Sequence, residues 1–312
     1  IAWISNSKLT YEDSEESYKN KFNLIIQKQI NHLINEVEKS KWVDDKMVGC
    51  AAIILTGLSL NEKEKYLSFG LSLLKKIIDF SFDNQSFPKS RNIRQLTFYL
   101  KYFVLIREWL KESQQDIPIY LDEIIFYLGK SYSILCQGKT KTILFNGNHE
   151  TNNKEFDSYL SNHGYKFKDN SFETGGYIIL KNKKFALVMD VGPSPEKKFS
   201  KDYQCGALSF EVISNGKKLI CNSGYFQKTK HKLNDISKSS ANHSVLIIDN
   251  HSSCKINKSK MEVENGLKIL NKNFIMEKNY WNIRASHDGY NKRYGVIYER
   301  QIEFFPENNK FI

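Results

Sequence analysis

Two histidines and a tyrosine in the last quarter of the chain carry the clearest chemical potential. His243 follows Ser239-Ser240-Ala241-Asn242 and precedes the apolar run Val245-Leu246-Ile247-Ile248. Its imidazole stands either at the rim of a sheet, open to a ligand, or inside it, satisfied by backbone groups. His287-Asp288-Gly289-Tyr290 sets an imidazole beside a carboxylate and a turn-forming glycine, with a phenol one step on. Such a group can orient a base or bind a sugar; a turn held by Asp288 and Gly289 accounts for it equally well. Arg91, Asn92, Asn146 and His149 fall at the ends of helical segments, where they either face a ligand or act as caps and loop contacts.

The elements that must position these residues change character along the chain. Phe22, Ile25, Ile26, Ile30, Leu33 and Val37 recur at helical spacing. Further helices are predicted at 44–60, 62–80, 91–112 and 118–135, with capping and turn residues at Gly57 to Asn61, Asp83 to Pro88 and Asp116 to Pro118. These read as stacked helical hairpins. After about residue 140 the pattern turns to short strand-like runs, at 177–181, 185–190, 207–213, 217–222, 244–249, 281–286 and 296–304. Asn215-Gly216, between two such runs, is a strong hairpin signal. The fold class is therefore α+β in two domains, a helical one over 1–150 and an antiparallel β-sandwich over 171–312. Gly175, Gly176, Gly206, Gly224 and Gly289 read as turn requirements, since none opens a helix as a phosphate cradle does.

The 312 residues carry a formal net charge of +11. Lys, Asn and Ile recur throughout, as a biased composition produces, and the lysines are dispersed; the alternative is a polyanionic ligand. Nucleic acid is excluded as a partner, because neither aromatic-basic interleaving nor a groove-reading helix is present. The five cysteines, Cys50, Cys136, Cys205, Cys221 and Cys254, form no Cys-x-x-Cys pair and argue against both a disulfide framework and a structural zinc site. No apolar run is as long as a membrane span. The first residue is Ile1 and the chain stops at Lys310-Phe311-Ile312, which suggests an excerpt of a longer protein. The compartment stays open between cytoplasm and periplasm, and so does the oligomeric state.

Three segments taken in order carry a resemblance. They are Cys205 to Tyr225, Ser239 to Asp249, and Ala285 to Tyr290 followed by Val296-Ile297-Tyr298-Glu299-Arg300. Together they resemble the C-terminal β-domain of the bacterial heparinase II/III-like family, which includes polysaccharide lyases acting on uronic-acid glycans. Weaker echoes run through Cys50 to Leu58, Ser90-Arg91-Asn92 and Leu144-Phe145-Asn146-Gly147, and Thr174 to Tyr177 and Met189 to Pro193 look like the opening strands. The resemblance implies an incomplete N-terminal α/α toroid joined to the sandwich, with a cleft between them. It also implies carbon–oxygen lyase chemistry without a redox cofactor. One group neutralises the uronate carboxylate, a base removes the neighbouring proton and an acid protonates the departing oxygen. On this reading His243, His287 and Tyr290 are the catalytic candidates. Arg91, Asn92, Asn146, His149, Gln204 and Asn222 are the substrate-binding ones.

The chain departs from the family pattern where the chemistry sits. Asp202, Gln204 and Gly206 stand where relatives carry a His-x-His-x-Asp-like run, and Val43-Asp44 stands where an Asn-His pair is expected. Asn31-His32 comes one helix too early, and Ser90-Arg91-Asn92-Ile93 lacks the catalytic tyrosine. Of a structural metal set only His243 matches. Gln204 and Asn222 are poor zinc ligands, so a hydrogen-bonded trio without metal is expected. Two functions follow: a lyase for an acidic or complex polysaccharide with much of its catalytic set substituted, or a glycan-binding protein of the same fold that does not cleave.

Overall fold

A computed structural model describes residues 1–7, 11–60, 63–137, 142–226, 231–257 and 259–312. Asn61 and Glu62, at a predicted helix junction, and residues 138–141, where the periodicity changes, lie outside the described residues. The chain divides into two compact units, one of Ile1–Asp83 with Phe98–Tyr127, the other of Asn84–Thr97 with Leu128–Ile312.

The first unit is helical. Glu16–Val37, Val43–Ser59 and Lys63–Ser81 form successive helices, and the unit takes in most of Ile93–Glu112 and the start of Ile119–Leu135. Val43–Ser59 is apolar nearly all round, so it is the buried one: Met47, Cys50, Ala51, Ile53 and Ile54 are 0% exposed. Its packing against Lys63–Ser81 depends on small residues. A Cβ on Gly57 would lie 2.7 Å from the Leu67 backbone nitrogen, so any larger residue would push the helices apart. Two buried tyrosine hydroxyls are matched, Tyr66 donating to Asn31 Oδ1 at 3.0 Å and Tyr99 donating to Asp44 Oδ1 at 3.0 Å. His32, beside Asn31, is exposed.

The second unit holds every strand among the described residues. A five-stranded antiparallel sheet runs in the order β1 (Glu173–Thr174), β2 (Tyr177–Lys181), β3 (Phe185–Asp190), β4 (Phe210–Ser214), β5 (Lys217–Ile220). A four-stranded antiparallel sheet takes the order β11 (Lys310–Phe311), β10 (Tyr298–Phe305), β9 (Trp281–His287), β8 (Ile269–Met276). A small pair, β6 (Lys255–Asn257) and β7 (Glu262–Asn265), stands apart. Ile178, Leu180, Leu187, Met189 and Val212 from the first sheet share one core with Trp281, Ile283, Ala285, Ile302 and Phe304 from the second, which makes the sandwich. β2 is buried on its other face too, where Tyr177 meets Phe87 and Phe145. The hairpin forms at Asn215-Gly216: both residues have positive φ, 47° and 74°, and Ser214 pairs with Lys217, the geometry of a two-residue type I′ turn.

Some expectations need correction. Residues 244–249 form no strand; the backbone there makes a single bridge, Ile248 to His251. The Ser244 hydroxyl occupies the partner it would need, accepting from the Phe210 N–H at 2.8 Å and donating to the Phe210 carbonyl at 2.7 Å. β4 starts at Phe210 rather than 207 because Leu208 adopts φ 62°, outside the β region. The helices Lys154–Asn162 and Lys232–Ser237 and the strands β6, β7 and β8 were not anticipated. Compactness assigns Asn84–Thr97 and everything from Leu128 onward to the unit that holds the strands.

Candidate functional site

Every residue singled out as catalytic or substrate-binding lies in the second unit. Its innermost polar group is built on Asp190, at the end of β3. Arg91, held at φ 57°, sends its guanidinium to the carbonyls of Gly175 at 3.0 Å, Pro193 at 2.9 Å and Gly176 at 3.2 Å, and to Asp190. The plane lies 4.8 Å from the Tyr177 ring centre. Burial by itself disfavours the charge, yet the Asp190 carboxylate holds the guanidinium above its usual pKa. Asn146 donates to the other Asp190 oxygen at 2.9 Å and to the Tyr177 hydroxyl at 2.6 Å, and that hydroxyl donates to the Arg91 carbonyl at 2.7 Å. Arg91 and Asn146 are thus fully committed to pinning the segment around Ser90 onto the first sheet.

A second group ties loops together. Gln204, 0% exposed, accepts from the Gly147 N–H at 3.1 Å and donates to the carbonyls of Gly224 at 3.0 Å and Ser237 at 2.9 Å. His243 Nε2 meets the same Ser237 carbonyl at 3.0 Å, while its Nδ1 is buried without a partner among the described residues. Asn222 instead accepts from the Ser244 N–H at 3.2 Å and donates to Glu211. The expected trio is therefore two residues converging on one carbonyl, with Asn222 bonded to a neighbour of the third. Sequence reasoning missed Glu211, a buried carboxylate in the middle of β4. One of its oxygens accepts from the Leu144 and Asn222 N–H groups at 3.0 Å each, and the other has no partner among the described residues. Burial raises its pKa. Among the described residues no group of three or more His, Cys, Asp or Glu is placed to hold a metal ion.

His287 and Tyr290 also serve the scaffold. His287, 1% exposed, accepts from the Gly289 N–H at 3.1 Å, and burial lowers its pKa to about 4. The Tyr290 hydroxyl, in a residue equally buried, donates to the Leu246 carbonyl at 2.8 Å. Burial likewise brings His243 down to about 4.

A third group runs from the buried Asn92 to partly exposed side chains and is less committed. Asn92 caps the Ile93–Glu112 helix by accepting from the Arg94 N–H at 3.0 Å, and its amide donates to Asp202 at 3.2 Å. Arg94, one helical step on, reaches the same Asp202 oxygen at 3.3 Å and keeps 41% of its side chain exposed. His149 and Tyr225 stand in the same electrostatic neighbourhood. Burial and then the Arg94 charge lower the His149 pKa; burial pushes Tyr225 up to about 12, with Asp202 adding to the rise and Arg94 opposing it. The side chains of both hydrogen-bond to nothing among the described residues. Asn92 and His149 are among the substrate-binding candidates of the sequence; Arg94 and Tyr225 are not. Asp202 had been noted only as a replacement. A separate cleft of about 680 Å³ in the helical unit is lined by Tyr11, Phe22, Tyr66 and Trp109, and contains none of the predicted residues.

Residues 166–312 match the family model described as Heparinase II/III-like, C-terminal. Solved structures agree in fold. The heparinase III product of BT4657 superposes with a TM-score of 0.73 at 15% identity, over 92% of this chain and 47% of that one. A structure described as heparinase III gives 0.72 at 13%, over 98% and 52%. A mutant heparan sulfate lyase HepC from Pedobacter heparinus gives 0.70 at 14%, over 93% and 48%. The chain thus spans about half the length of these structures, and at such identities the likeness establishes the fold, a partial toroid followed by a β-sandwich. No curated protein sequence matches. Asp202 and Tyr225 lie within the matched segment, whereas Arg94 and His149 precede it.

Proposed function

We propose that this chain forms the glycan-handling part of a polysaccharide lyase that cleaves an acidic glycan by β-elimination, with Arg94, His149 and Tyr225 carrying the chemistry. The observation behind this reading is that the His149 ring and the Tyr225 hydroxyl are partly exposed and, among the described residues, make no side-chain hydrogen bond beside the Arg94 charge. Arg94 has guanidinium N–H groups to spare for a uronate carboxylate, and that pairing acidifies the adjacent C–H. His149, held neutral at pH 7 by its lowered pKa, accepts the proton. The electron pair left on carbon forms the double bond as the glycosidic C–O bond breaks, and Tyr225 protonates the leaving oxygen.

The product is an unsaturated uronate whose conjugated double bond absorbs in the ultraviolet. With the full-length protein and a panel of heparan-, alginate- and hyaluronan-like polymers, absorbance should rise with at least one polymer. His149→Ala and Tyr225→Phe should each lower the rate at least about 100-fold, the usual scale for a positioned acid or base. The rate should hold down to below pH 6.5 and then fall. Arg94→Gln should move that acid limb upward, because removing the cation favours the imidazolium. An unchanged rate in His149→Ala would sink the assignment.

A second reading, glycan binding without cleavage, is favoured by one fact: His243, His287 and Tyr290 are held in backbone hydrogen bonds. It predicts no absorbance change, together with binding of an acidic polymer that Arg94→Ala weakens. Neither turnover nor binding across the panel would refute both readings.

A further inference from the structure

The five cysteines give no disulfide signal as a sequence, yet the fold brings two of them together. Cys205 and Cys254 are separated by 49 positions, and Cys205 Sγ lies 3.5 Å from the Cys254 carbonyl oxygen. Both are buried, 1% and 7% exposed, in one apolar cluster with Tyr203, Ala207, Val263 and Leu267. Their backbones are fastened to the same point. Ser240 Oγ donates to the Cys205 carbonyl at 2.6 Å and accepts from the Ser253 N–H at 3.1 Å, and Ser253 Oγ approaches the Cys205 carbonyl at 3.4 Å. The neighbouring Cys205 thiol and burial together hold the Cys254 thiol well above its usual pKa. Of the others, Cys50 belongs to the helical unit and Cys221 is exposed.

We propose that Cys205 and Cys254 are a disulfide-forming pair, oxidised by thiol–disulfide exchange with a small-molecule disulfide. The bond would staple the strap leading into β4 to the start of β6. When the β unit opens locally and water reaches both sulfurs, burial no longer holds the Cys254 proton on; the thiolate that forms attacks the oxidant disulfide and releases one thiol. The Cys205 thiolate then attacks the Cys254 sulfur of the mixed disulfide and releases the second. Two electrons pass to the oxidant, and the two protein protons end on the released thiols. The pair is reduced wherever glutathione and thioredoxin keep thiols reduced, and oxidised in an oxidising compartment. The link anchors the residue next to Gln204, whose side chain joins three loops.

The test uses the full chain with Cys221→Ser, so that the exposed thiol cannot exchange. The protein is incubated with oxidised glutathione, alkylated, and mapped by mass spectrometry without reduction. The Cys205 and Cys254 peptides should appear joined, two hydrogens lighter than the reduced pair. The oxidised form should melt higher than the reduced form by roughly 5–10 °C, from the usual effect of closing a loop of this length in a domain of this size. That oxidant-dependent rise should vanish in Cys254→Ala, which also shows whether the unlinked fold survives. Alkylation of both cysteines after oxidation, or a bond that joins other cysteines, overturns the proposal. A bond that forms without raising the melting temperature overturns the stapling role.

Discussion

Replacing Asp190 with alanine should destabilise the β unit by about 3–5 kcal/mol, the range for stripping one partner from a buried ion pair. The side chains of Arg91 and Asp190 are 8% and 1% exposed, so water cannot take over the lost contact. At an effective dielectric of about 20, two unit charges about 4 Å apart attract by about 4 kcal/mol, which falls inside that range. The guanidinium would keep its three carbonyl partners, which softens the loss, but the Gly192 N–H and the Asn146 amide would also lose an acceptor. Urea unfolding at pH 7 measures the total, and amide exchange in β2 and β3 confines it to the strands that the pair holds. A double-mutant cycle with Arg91→Met should return a coupling of at least about 2 kcal/mol. A loss below about 1 kcal/mol, or a coupling near zero, would refute the view that this pair is the clamp of the first sheet.

Acid should weaken the fold through His287. Its folded pKa, about 4, lies below the unfolded value near 6.5, so the unfolded chain binds the extra proton and stability drops as pH falls through that window. The drop is worth about 3 kcal/mol, and a His287→Gln variant should show a correspondingly shallower pH dependence between 7 and 4. Glu211 acts in the opposite sense. Its pKa is raised by burial, so the folded chain holds the proton longer and stability declines as pH rises above about 4.5, a slope that Glu211→Gln should remove. At the hairpin, Gly216→Val should cost about 1–2 kcal/mol in thermal or urea unfolding, because φ 74° is strained for a β-branched residue. An unchanged stability there would mean that the turn rearranges freely.

The helices were legible because apolar spacing alone decides them, as at Phe22 to Val37, where the observed helix covers the predicted one. The hairpin was legible because Asn-Gly has few other uses between two strands. β8 was hidden because it is an edge strand with exposed residues through Leu270, Asn271, Lys272 and Asn273, so neither alternation nor hydrophobicity marks it. Val245 to Ile248 misled for the opposite reason: the composition is that of a strand, but strand formation needs a free neighbour, and Ser244 had already taken it. The candidate site was partly legible. Residue type identified Arg91, Asn146 and Gln204 as unusual polar positions, while only three dimensions reveal that they are consumed internally. Asp202 joins Arg94 across 108 positions, a relation that no local pattern encodes.

The assignment of Asn84–Thr97 to the β unit bears on how such a domain can be inherited or excised. The recognisable family segment begins at residue 166, and the carbonyls of Gly175, Gly176 and Pro193 and the carboxylate of Asp190 all fall inside it. The arginine that satisfies them and the asparagine that shares the carboxylate lie before it. A gene fragment cut at the family boundary would therefore encode a sandwich with a buried charge and several carbonyls left without donors. The portable piece of this architecture is discontinuous in sequence. Any exchange of the β-domain between relatives has to bring along the short stretch around Arg91, or find a new way to close the first sheet.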